Sequence, residues 1–144
     1  MTDSAVQTGP ALILMAALGL APSPELTTAL EAVPYGLHHT LTVADTLTAV
    51  RERSPELLII LTGGFGEAEL EVCQTLSQHP QTRWIPILVI GQDQDPMARV
   101  QAFQAGIVDY ISPALCPAEI IARAQVHINQ YRVYQRLSLQ AQRA

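Results

Sequence analysis

The chain has 144 residues, 49% of them hydrophobic and 15% charged, with a formal net charge of −5. This length fits one domain of about 100–200 residues with a real core, and the composition excludes a chain kept unfolded by charge. All eight basic residues are arginine, which argues against a basic nucleic-acid surface.

Residues 1–10 are polar and lack a basic segment, so they read as a loose leader and not as a signal peptide. No apolar run reaches the roughly 18 residues of a membrane span. The first apolar run, residues 11–18, is uncharged and reads as a strand buried on both faces. Ser23, Pro24 and Glu25 then make a helix start, with serine as N-cap, proline in the first turn and an acid at the positive dipole end. That helix is expected to run to about Val33 and stop at Pro34. Residues 37–44 alternate and contain β-branched side chains, predicting a second strand, after which Asp45 is expected to cap a helix through Arg53. Residues 57–61 form a third buried strand, ended by Thr62, Gly63 and Gly64. Helical spacing follows over 67–77, with Leu70, Cys73 and Leu76 on one face. Residues 86–90 are a fourth strand, and 96–105 a helix with Met97, Val100 and Phe103 on one face, stopped by Gly106. A short fifth strand covers 108–111, and a last, long helix runs from Pro117 to about Arg143.

Five uncharged strands alternating with five helices predict an α/β domain, a parallel sheet covered on both faces. At this length the leading topology is the flavodoxin-like, doubly wound order 2-1-3-4-5. The expected organisation is a leader at 1–10, a domain at 11–130 and an extension of the last helix at 131–144.

Several segments resemble the receiver domain of bacterial response regulators. Pro55-Glu56 leading into Leu57–Leu61 is similar to the approach to the receiver's third strand. Leu70-Glu71-Val72-Cys73 with Leu76 resembles its third helix, and Ile85-Pro86 with the apolar run to Ile90 its fourth strand. Ala102-Phe103-Gln104-Ala105-Gly106, Asp109-Tyr110-Ile111 and Pro113 resemble the end of helix four, strand five and the following proline. Ala118-Glu119-Ile120 resembles the start of helix five. The resemblance covers about residues 11–130.

In that family two acids after strand one and an aspartate ending strand three hold magnesium, and the aspartate accepts a phosphoryl group. A hydroxyl after strand four and a lysine after strand five contact its oxygens. A hard cation needs oxygen ligands, and a transferred phosphoryl group needs positive charge around it. The corresponding positions here are Ala16 and Ala17, Leu61, Gly91 and Ser112. Between Asp3 and Glu25, and between Glu56 and Glu67, the sequence has no acid, and it has no lysine at all. The resemblance is therefore to a pseudo-receiver, with no catalytic residue, no metal site and no cofactor. Such domains occur in larger signalling proteins of cyanobacteria, including a circadian input histidine kinase. This implies a protein partner, a histidine kinase or a clock protein, and sensitivity to quinones, although no residue singles out that kinase.

Thr62-Gly63-Gly64-Phe65-Gly66 follows a strand at the carboxyl edge, where ligands sit in this architecture, and a small-molecule sensor for a quinone or nucleotide, or a flavodoxin-like ligand-binding domain, is the alternative function. A plain turn suits the same residues. His38 and His39 alternate across a strand and cannot chelate one metal. Cys73 has core spacing; Cys116 precedes a helix and is read as structural. The cysteines form neither a disulfide framework nor a zinc pattern, so a reducing cytoplasm is expected. Trp84 reads as a packing or rim residue. Tyr110 falls at the family's aromatic switch position, whose hydroxyl partner is here Gly91.

Two partner surfaces are expected. One is the edge strand Leu37-His38-His39-Thr40-Leu41-Thr42-Val43, which has no proline, lysine or acid to block strand addition. The other presents Met97, Phe103 and Tyr110. On the last helix, Tyr131, Tyr134 and Leu137 recur at intervals of three with Arg132 and Arg136 beside them, a stripe able to pair with a second copy or lead into another domain.

Overall fold

The computed structural model describes residues 11–92 and 95–143; the leader at 1–10 lies outside them. Its elements run β1 (Leu12–Ala17), α1 (Pro24–Glu31), β2 (Gly36–Thr40), α2 (Val43–Arg53), β3 (Leu57–Thr62), α3 (Glu67–Ser77), β4 (Ile87–Gly91), α4 (Pro96–Gln104), β5 (Asp109–Ile111) and α5 (Pro117–Arg143). The sheet is parallel in the order β2-β1-β3-β4-β5, as the sequence predicts.

Alternation along the strands divides the core in two. Leu14, Ala16, Leu58, Ile60 and Val89 pack against Ala49 and Val50 of α2, Val72, Cys73 and Leu76 of α3, and Ala102 of α4. On the other face Ile13, Met15, Leu57, Ile59, Leu61 and Ile90 pack against Leu26 and Leu30 of α1 and Ile120, Ala124 and Ile128 of α5. This double burial explains why the strands read as unbroken apolar runs.

The second strand is shorter than expected. It ends at Thr40, and Leu41, Thr42 and Val43 leave it. Thr42, not Asp45, caps α2: its Oγ1 accepts from the Asp45 N–H at 3.1 Å, and its carbonyl accepts from the Thr46 hydroxyl at 2.7 Å. A hydroxyl bonded to its own backbone three residues on favours a helix start over a continued strand. The same helix ends on Ser54, which is left-handed at φ 49°. α1 also ends early, at Glu31, with Ala32 as its C-cap. Ser23 caps it as expected, accepting from the Leu26 N–H at 3.1 Å.

The Met97, Val100 and Phe103 stripe of α4 faces solvent; Ala102 is the residue that helix buries. α5 is long, as predicted, and is pinned at two levels. Asp109 at the start of β5 takes Arg123 and His127, each at 3.2 Å. Just before β3, the Nε and Nη2 of Arg132 donate side by side to the two oxygens of the buried Glu56 carboxylate, with Nη2 at 2.9 Å. No helix among the described residues is long and apolar enough to cross a membrane.

Candidate functional site

The carboxyl edge of the sheet is where this architecture places its chemistry, and there the chain closes on itself. The Leu61 carbonyl accepts from the N–H groups of Leu18 at 3.0 Å and Gly19 at 3.2 Å. A Cβ on Gly19 would stand 3.3 Å from the Gly63 nitrogen, so the loop after β1 lies against the loop after β3. Ala16 and Leu61 are buried and Ala17 half-buried. Beside Leu61 lies a hollow of about 220 Å³, walled by Leu20, Leu26, Ile90, Leu115 and Ile120, and none of its lining residues is charged. Ser112 is exposed, its Oγ accepting from the Ala114 N–H at 3.1 Å. Among the described residues no group of three or more His, Cys, Asp or Glu could hold a metal ion.

Gly91 stands beside Thr62 in the β3–β4 register. Its missing side chain is replaced by Tyr110: a Cβ on Gly91 would meet the phenol oxygen at 2.6 Å and Cζ at 3.0 Å. Tyr110 therefore turns inward and packs on the core behind α4, while Met97 and Phe103 stay exposed.

The loop from Thr62 to Gly66 uses its own donors. The Gly64 N–H donates to Thr62 Oγ1 at 3.0 Å, and the Gly66 N–H donates to Glu69 Oε1 at 2.7 Å. The Thr62 hydroxyl lies 2.7 Å from the Gly64 carbonyl and 2.9 Å from Glu69 Oε2, and its single proton serves one of them. Two of the amides a phosphate cradle would need are thus occupied. Phe65 turns into the core, and beyond it a cleft of about 490 Å³ runs between α3 and α4, lined by Leu70 and Ala105 with Gln74, Gln101 and Gln104. Glu69 is buried and was not singled out from the sequence; an acid three residues after Gly66 was the available signal. Beneath it, burial and then the Glu69 carboxylate push the Cys73 thiol up to about 12. Cys116 is exposed.

Among the described residues β2 pairs only with β1, so it forms an edge of the sheet. A groove of about 350 Å³ runs beside it, between His38, His39, Thr40 and Leu41 on one side and Asp45, Thr48 and Glu52 of α2 on the other. His39 and Leu41 are exposed, His38 is half-buried, and Thr40 is buried with its hydroxyl 2.7 Å from that of Thr46.

No family model matches the sequence. Among curated proteins the chain is similar to the phosphate regulon transcriptional regulatory protein PhoB of Rhizobium meliloti, 28% identical over 81 residues. That match takes in 56% of this chain and 36% of PhoB, so the chain spans about a third of that relative's length. Among solved structures it is similar to NtrX from Brucella abortus (TM-score 0.75, 18% identity, 90% of this chain and 29% of that one). It is also similar to the signal receiver domain of a signal transduction histidine kinase from Syntrophus aciditrophicus (TM-score 0.70, 19% identity, 83% of this chain and 91% of that one). The five-stranded order and these likenesses give the chain the receiver fold of response regulators.

Proposed function

We propose that this chain is a receiver domain of two-component signalling whose phosphoryl chemistry has been erased, and that it acts by binding a protein partner. The observation that carries this reading is the uncharged carboxyl edge. Buried Leu61 stands where the resemblance puts an acceptor carboxylate, and no residue lining the hollow beside it is charged. Magnesium needs several oxygen ligands at fixed distances, and alanine at 16 and 17 supplies none.

The edge of β2, unpaired among the described residues, is the proposed contact. An incoming strand gains main-chain hydrogen bonds there, and the groove beside α2 can take its alternate side chains. A histidine kinase or a clock protein is the partner class that the sequence resemblance suggests. The small-molecule alternative at residues 62–66 is less favoured, because the Gly64 and Gly66 amides are already bonded.

Two experiments test the halves separately. Acetyl phosphate or beryllofluoride with magnesium should leave the amide spectrum unchanged. With a candidate histidine kinase or clock protein, His39→Pro should abolish binding while circular dichroism stays native; normal binding by a folded variant would remove β2 as the contact.

A further inference from the structure

The outward side of α5 carries a seam that can match itself. Ile120, Ala124 and Ile128 face the sheet. At about 3.6 residues per turn, the opposite side carries Val126, 52% exposed, Val133, 49%, and Leu137, 59%. Gln130 and Gln140 are exposed in the same row. From Val126 the five residues stand four, three, four and three apart, the interval that keeps one seam in line and lets two helices pair along it. At roughly 1.5 Å per residue the seam is about 21 Å long.

The helix is held before any second molecule arrives. Arg132 reaches Glu56, and the Tyr134 ring lies 5.1 Å from that of Trp84, tilted by 46°. Two heptads are short for an isolated coiled coil, but a helix already ordered on its own domain loses little further freedom on pairing.

The residues in the seam select a second copy as its occupant. A glutamine amide holds both donors and an acceptor, so it can pair with its own counterpart. In a parallel pair Gln130 meets Gln130 of the partner subunit, and Gln140 meets Gln140 of the partner subunit. An antiparallel pair would set Val126 against Gln140 and bury amides on apolar side chains, which is costly. Charge does not oppose the parallel register. Along its flanks Asn129 faces Tyr134 of the partner subunit and Arg136 faces Ala141 of the partner subunit, so no arginine there meets another. Before Val126 the same row continues as Arg123 and Glu119, which already pair at 3.3 Å.

We propose that α5 pairs in parallel with α5 of a second copy along Val126, Gln130, Val133, Leu137 and Gln140. The seam is distinct from the β2 edge, and self-association does not depend on the contact proposed there.

The test is the mass of the full chain in solution, by sedimentation equilibrium, over a series from about 10 μM to about 1 mM. The mass should rise from that of one copy towards that of two. Leu137→Arg and Leu137→Glu should each weaken the association about a hundredfold, because like charges then face each other across the seam. Mixing the two variants in equal amounts should restore the pair, since the parallel register sets position 137 against itself. Leu137 is exposed, and circular dichroism checks that both variants stay folded. A mass of one copy throughout the series would overturn the proposal. So would association that both variants retain, which places the contact elsewhere. A mixture that stays monomeric would overturn the parallel register, and the proposal with it.

Discussion

The phenol oxygen of Tyr110 lies 2.6 Å from the point where a Cβ on Gly91 would stand. Two residues 19 apart in sequence share one volume, because β4 and β5 are neighbours with Val89 opposite Tyr110. Any side chain at 91 must expel the ring. Gly91→Ala should therefore destabilise the domain by about 1–3 kcal/mol through overpacking. In a Tyr110→Ala background the same change should cost nothing or stabilise slightly, since alanine loses less entropy than glycine in a strand. A double-mutant cycle by denaturant titration measures the coupling; equal costs in both backgrounds would mean that the two residues do not compete.

Arg132 is a fold residue as well as part of the helix extension. Arg132→Ala strands the Glu56 carboxylate, 2% exposed, and should cost about 3–5 kcal/mol. Replacing both partners by apolar residues of similar size should recover much of the loss. For the same reason a truncation meant to remove the exposed stripe must end after residue 133. A cut after 130 should lower the midpoint of urea unfolding sharply, whereas a cut after 133 should leave it nearly unchanged.

Ser54 holds a left-handed backbone at the end of α2. Ser54→Gly should stabilise the domain by about 0.5–1 kcal/mol, because glycine adopts that conformation without strain. An unchanged or lower thermal midpoint would count against this account of the cap.

Cys73 and Cys116 should separate cleanly. With the Cys73 thiol raised from an ordinary 9.0 to about 12, only Cys116 should react with a thiol reagent at pH 8 in the native state, and both should react after unfolding. The folded state holds the Cys73 proton more tightly than the unfolded chain. Its contribution is therefore complete below about pH 9.0 and is lost as pH rises towards 12. Cys73→Ala should flatten that alkaline loss in an unfolding series from pH 8 to pH 11.

The contrast between legible and illegible features follows from distance along the chain. Leu57 to Leu61 and the helix from Glu67 to Ser77 could be read because burial on both faces, or on one helical stripe, leaves a local pattern. The end of β2 could not, because Thr42 suits both a strand and an N-cap and only its bond to the Asp45 N–H decides. The Met97, Val100 and Phe103 spacing is a true helical stripe, but spacing alone does not say which side the sheet lies on. The pairs Gly91 with Tyr110, Glu56 with Arg132 and Trp84 with Tyr134 are made by strand order and by the length of α5, so no local signal announces them. At the carboxyl edge, the absences at Ala16, Ala17 and Leu61 were readable in the sequence, while the closure of that edge by the Leu61 carbonyl was not.

On the proposed reading, the edge holding Leu61 transfers no phosphoryl group. The most direct measurement is intact mass together with the amide spectrum of the full chain, after incubation with acetyl phosphate and magnesium. No added phosphate and no shifted amide are expected in the segments around Ala16, Leu61 and Gly91. Stoichiometric phosphorylation of any residue in the loop after β3, with shifts spreading to Tyr110, would contradict it.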